Sequence, residues 1–94
     1  MKKIGYIYIL TNKNNTVLYI GVTSDLTNRL HQHRNGFFKN SFTSRYSLKK
    51  LVYYEEFLTI EDAIQREKQL KAGSRKKKIE LIEKKNKKWK DLMM

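Results

Sequence analysis

Four side chains in this 94-residue sequence have the types and spacing to do chemistry together, the phenols of Tyr8 and Tyr19, the guanidinium of Arg29 and the imidazole of His33, and a carboxylate, Glu67, lies further along the chain. Arg29 and His33 are four residues apart, so on a helix they share one face. A guanidinium presents a fixed fork of donors that suits a phosphate oxygen and stays charged at any relevant pH. Phenols and an imidazole beside it are groups that orient water and move protons. Each residue also has a plainer role. Tyrosine is a common strand residue, and aromatic cross-strand pairs stabilise hairpins by a few tenths to about 1 kcal/mol. His33 could be a hydrogen-bonded helix residue, and Glu67 could form with Lys71 a surface ion pair worth about 0.3 to 0.5 kcal/mol.

The elements that must carry these groups follow from patterning. Ile4 to Leu10 and Val17 to Val22 are rich in Ile, Val and Tyr, and Asn12-Lys13-Asn14-Asn15 between them is turn-forming, which reads as an antiparallel hairpin. With those four residues as the loop, Tyr8 falls opposite Tyr19 and Tyr6 opposite Gly21, so both phenols project from one exposed face. Ile7, Ile9, Leu18 and Ile20 form an apolar opposite face suited to packing under helices. Ser24 or Asp25 caps a helix that turns Leu26 and Leu30 toward the core. Asn35 to Ser47 reads as a long loop mixing Phe37, Phe38, Phe42 and Tyr46 with Arg45, a composition that can stack on bases and hold phosphates or simply pin the loop. Leu51 to Phe57 is a third strand, and Thr59 begins a helix running to about Ala72, ended by Gly73. Ser74 starts a further helix with Ile79, Leu81 and Ile82 as its apolar side, with Trp89 and Leu92 as a final anchor. The expected fold is α+β, a small three-stranded antiparallel sheet flanked by helices, in one domain spanning 1–94 whose basic helical C-terminal segment covers about 74–94.

Composition narrows the partner. Lys and Arg number 21 against 9 Asp and Glu, a formal net charge of +12, which favours a polyanion through counterion release. The charge concentrates late in the chain, in Arg75-Lys76-Lys77-Lys78 and Lys84-Lys85-Asn86-Lys87-Lys88, although lysine runs also occur as solvated helix faces. Without cysteine, neither disulfides nor a thiolate zinc site can hold the fold, which suits a reducing cytoplasm. Met1-Lys2-Lys3 and the apolar run after it superficially mimic a signal peptide, but the run ends at Thr11-Asn12-Lys13 with no small-residue cleavage site. No stretch approaches the ~20 apolar residues that a membrane span needs.

In Tyr6-Ile7-Tyr8, Tyr19-Ile20-Gly21, Arg29, His33 and Glu67, taken in order, the sequence resembles the GIY-YIG nuclease superfamily, in particular its short single-domain bacterial members and the N-terminal incision domain of bacterial nucleotide-excision repair. The resemblance covers nearly the whole chain. It implies that Glu67 binds a metal ion, that one of Tyr8 and Tyr19 acts as general base, and that Asn86 matches a late asparagine of the family. Two departures are Tyr6 in place of the first motif's glycine and Val22 where some relatives carry a basic residue, so no lysine-assisted mechanism is expected there.

What the resemblance implies is a DNA endonuclease, structure- or damage-selective, in repair or recombination. Cleaving a phosphodiester requires an activated water, stabilisation of charge on phosphorus and help for the departing oxygen. One Mg2+ or Mn2+ held by Glu67 alone would keep mostly water and phosphate ligands and bind weakly without DNA. Arg29, Arg45, Lys71, Arg75, Lys76, Lys77, Lys78 and Asn86 are the expected nucleic-acid contacts, with branched, damaged or single-stranded DNA as partner and a protein partner supplying specificity. The alternative is a nucleic-acid-binding module whose nuclease site is vestigial or depends on a partner.

Overall fold

The computed structural model describes residues 4–36 and 41–93. Phe37 and Phe38 of the aromatic loop lie outside them. Three strands, β1 (Gly5–Thr11), β2 (Leu18–Thr23) and β3 (Lys50–Phe57), form an antiparallel sheet in the order β2-β1-β3. Among the described residues four helices accompany them: α1 (Leu26–Arg34), α2 (Phe42–Arg45), α3 (Ile60–Ala72) and α4 (Arg75–Lys85). The architecture is the expected α+β one.

The helix starts sit where short polar side chains can satisfy the first amide groups. Asp25 accepts from the Asn28 amide, Ser41 from Ser44, Thr59 from Asp62 and Ser74 from Lys77. Of the two candidate caps for α1, Asp25 is the one used. The segment expected as a plain loop contains the short helix α2, because Ser41 supplies a cap. The C-terminal segment is helical only to Lys85; beyond it the chain turns, with Trp89 in the left-handed region at φ 57°.

The hairpin register differs from expectation by two residues. Tyr8 pairs with Gly21 and Leu10 with Tyr19, while Tyr6 faces Thr23. The cause lies in the Asn12 side chain, whose Oδ1 accepts from the amides of Thr16 (2.8 Å) and Val17 (3.1 Å). Thr11 Oγ1 also donates to the Val17 carbonyl at 2.7 Å, and Asn15 takes φ 58°, so the connection spans residues 12–17 rather than four residues. A shift of two preserves the alternation of faces, so Tyr8 and Tyr19 still share one, as diagonal rather than direct neighbours.

Both faces of the central strand are covered. Ile7, Ile9 and Ile20 pack with Tyr53, Ala63 of α3 and Ile82 of α4, the apolar face anticipated from the alternation. The opposite face, expected to stand open, is closed by Leu30 of α1 and by Leu48, which bury Tyr8, Leu10 and Leu51. At Gly5 the α3 backbone comes so near that an added Cβ would lie 2.8 Å from the Ile60 Cα. Between Ile9 and Leu10 the β1/β3 register slips, leaving Val52 as an extra residue.

Candidate active site

Tyr8 is the pivot of the site and has no exposed surface. Its ring lies across Gly21, where an added Cβ would land 2.8 Å from the phenol Cε1 and closer still to Cζ and the hydroxyl. The glycine of the second tripeptide is thus the space that Tyr8 occupies. The Tyr8 hydroxyl meets His33 Nε2 at 3.1 Å and lies within hydrogen-bonding reach of Arg29. Tyr8, Tyr19 and His33 form a cluster of three rings, with centroids 5.9 to 6.3 Å apart.

His33 reaches this cluster because it lies one helical turn beyond Arg29 on the buried side of α1. Its Nδ1 meets Thr43 Oγ1 at 2.9 Å, and Thr43 meets Ser41 Oγ at 3.1 Å. Arg29 can only donate to the Tyr8 oxygen, so the phenolic hydrogen points to His33 Nε2, and the imidazole carries its own hydrogen on Nδ1 toward Thr43. Desolvation first, and then the Arg29 charge, lower the His33 pKa, which keeps the ring neutral and able to accept. Burial above all, then Tyr19, pushes the Tyr8 pKa up to about 12 against the opposing pull of Arg29. Tyr8 therefore keeps its proton at neutral pH.

A cavity of about 290 Å³ opens in front of this cluster, lined by Tyr19, Arg29, His33, Ser41, Phe42 and Thr43. Tyr19 and Phe42 also wall a second groove of about 310 Å³, shared with Leu18, Ile20, Lys71 and Lys78. Glu67 stands on α3 with its side chain 16% exposed, 3.6 Å from Lys71, and its charge is felt at the Tyr8 hydroxyl. The Glu67–Lys71 pair read as the plainer possibility is present, yet Lys71 is more than half exposed, so the pair is a loose one.

The structure therefore gathers Tyr19, Arg29 and His33 around one cavity, with Tyr8 buried behind them, and brings Glu67 and Lys71 beside it. Of the remaining expected contacts, Arg45 is exposed on α2 and Lys76 and Lys77 on α4, whereas Arg75 Nη2 is tied to the Thr16 carbonyl at 2.9 Å. Asn86 is a correction: it is buried, its Nδ2 donates to the carbonyls of Val52 (3.0 Å) and Lys90 (2.8 Å), and its Oδ1 accepts from the Lys90 amide. With its amide spent on the strand slip and the C-terminal turn, it does not face nucleic acid. Tyr6, in the first tripeptide, donates to Glu56 on β3 and takes no part in the ring cluster. Ser41 and Thr43 were not anticipated as site residues; the capping serine was readable, but nothing in the sequence marks Thr43 as the partner of His33.

Residues 4–80 match the family model described as the GIY-YIG catalytic domain. The chain is 39% identical over 77 residues to a UPF0213 protein of Staphylococcus saprophyticus, spanning 82% of this chain and 92% of that one. It is 37% identical over 82 residues to a UPF0213 protein of Clostridium perfringens, spanning 87% and 86% respectively. The solution NMR structure of a UPF0213 protein from Bacillus halodurans superposes with a TM-score of 0.59 at 30% identity, covering 94% of this chain and 92% of the other.

Proposed function

This chain belongs to the GIY-YIG nuclease family, in its short UPF0213 branch, and from that premise we propose that it is a divalent-metal-dependent endonuclease hydrolysing DNA phosphodiester bonds. The observation that carries the reading is the convergence of Tyr19, His33 and Arg29 on one cavity, backed by the buried Tyr8 and beside Glu67, in a chain of net charge +12.

The donors fit a sparsely held hard cation. Glu67 is a carboxylate that pairs loosely with Lys71 and whose charge reaches the Tyr8 hydroxyl, and no group of three His, Asp or Glu that could hold an ion occurs among the described residues. Glu67 would hold Mg2+ or Mn2+, water and phosphate oxygens would complete the shell, and the ion when bound would polarise the phosphate and stabilise its negative charge.

The roles of the chain's own groups follow from their surroundings. Arg29, on the cavity wall, neutralises charge on a phosphate oxygen. Tyr19 is the phenol that lines the cavity, so it is the one placed to take a proton from the attacking water as the new oxygen–phosphorus bond forms and the ester bond breaks. A phenol acts as a base only as phenolate. Tyr8, closed off and protonated, is a positioning residue: its hydroxyl donates a hydrogen bond to His33 and holds the Arg29 guanidinium in place. His33 is in turn oriented by Thr43.

The test is a cleavage panel of plasmid, branched, flap and single-stranded DNA, with Mg2+ or Mn2+ against chelator. Cutting that needs metal and falls by roughly 10²-fold or more in Arg29→Ala and Glu67→Ala is expected. Salt-sensitive binding that survives Glu67→Ala, with every substrate intact in every metal, would leave only a binding module. A role in repair or recombination, with selectivity for a branched or damaged structure, is part of the same proposal and is read from which substrates in the panel are cut.

A further inference from the structure

Two large aromatic side chains stand beside the cavity with half their surface in water. Phe42 is 48% and Tyr46 46% exposed, their ring centroids are 4.8 Å apart, and Phe42 is stacked on Tyr19 at 6.3 Å and 29°. Phe42 belongs to both openings, so its ring divides the Arg29 and His33 cavity from the groove that holds Lys71 and Lys78. Leaving so much aromatic surface exposed is unfavourable unless a flat apolar partner covers it. The flanking charges, Lys71 and Lys78 in the groove and Arg45 on the same short helix, select a partner that joins flat rings to a polyanionic backbone.

Resting on the nuclease reading above, we propose that Phe42, supported by Tyr19 and Tyr46, is a stacking platform for an unpaired DNA base adjoining the scissile phosphate, with Lys71 and Lys78 gripping the backbone on its far side. A base inside a duplex already has both faces stacked on its neighbours. Only a base in a single strand, in a flap or turned out of the helix can lie on Phe42. The site is thereby selective for locally unpaired DNA.

Binding measured in chelator, where no cleavage occurs, separates this inference from the catalytic one. The probe is a short single strand carrying a central 2-aminopurine, compared with the same sequence as a duplex, against wild type, Phe42→Ala, Phe42→Trp and Lys71→Ala/Lys78→Ala. Wild type is expected to prefer the single strand and to quench the 2-aminopurine. Phe42→Ala should weaken single-strand binding by about 5- to 150-fold, the range of one base stacked on an aromatic, with a much smaller loss on duplex, and Phe42→Trp should restore both affinity and quenching. The double lysine variant should bind more weakly and with a shallower salt slope, by roughly 0.7 for each phosphate that the lysines no longer neutralise. A folded Phe42→Ala protein, judged by an unchanged circular dichroism melt, that binds and quenches like wild type overturns the platform. So does a wild-type preference for the duplex. If the platform behaves as expected while the metal-dependent cleavage panel fails, the catalytic reading alone falls.

Discussion

At the scale of single residues, the site depends on one steric exchange and one proton. Gly21 has no side chain because the Tyr8 ring fills that space, so Gly21→Ala should displace the phenol at a cost of about 1 to 3 kcal/mol. The expected signature is a lower melting temperature together with a cleavage defect at least as deep as that of Tyr8→Phe; a variant as stable and active as wild type would show that the glycine is incidental. His33 supplies the proton's partner. Its pKa is lowered in the fold, so its contribution to stability is fully present above the unfolded value of about 6.5 and declines as the pH falls below that. The melting temperature should therefore drop between pH 7.5 and 5 more steeply for wild type than for His33→Gln, and parallel curves would place the His33 ring in water. What was legible here is uneven. The residue types and their order were readable, because strand alternation and the helical four-residue spacing are local rules. The burial of Tyr8 was not, since it depends on α1 folding across the sheet, a tertiary event that no local pattern records.

At the scale of elements, the readable features were those that one segment decides by itself. The apolar face of Ile7, Ile9 and Ile20, the caps Thr59 and Ser74 and the end of α3 at Gly73 all follow from spacing and side-chain chemistry, and all are present. The strand register was missed because the Asn12 side chain extends the loop from within, an interaction invisible to a count of turn-forming residues. Asn86 was misjudged for the same kind of reason: its partners are the Val52 carbonyl, 34 residues away, and a turn that forms only after α4 stops. Trp89 does pack against the core as expected, while Leu92 anchors through its amide to the Leu51 carbonyl rather than through its half-exposed side chain. Asn86→Ala should cost about 2 kcal/mol, or roughly 8 to 16 °C in melting temperature, because it strands a buried carbonyl. DNA affinity measured well below the transition should stay at the wild-type level. Weaker binding by a fully folded variant would return Asn86 to the nucleic-acid surface.

At the scale of the whole molecule, the sheet is a divider. Its Ile7 face packs against α3 and α4 to hold the fold together, while its Tyr8 face, roofed by α1, carries the polar cluster. Arg29 comes from α1, the tyrosines from two strands, and Glu67 and the groove lysines from α3 and α4, so the site exists only when every element is in place. Among the described residues no helix is long and apolar enough to cross a membrane. The net charge of +12 attracts polyanions, but attraction alone does not distinguish a nuclease from a binding module. The most direct measurement is the Mg2+-supported cleavage rate of wild type and of Arg29→Ala on one branched substrate, at protein concentrations that bind the DNA to the same extent. The account predicts cutting by wild type that stops in chelator and is slowed by roughly 10²-fold or more in Arg29→Ala. Equal cutting by the two proteins, or none by the wild type in Mg2+ or Mn2+, would contradict it.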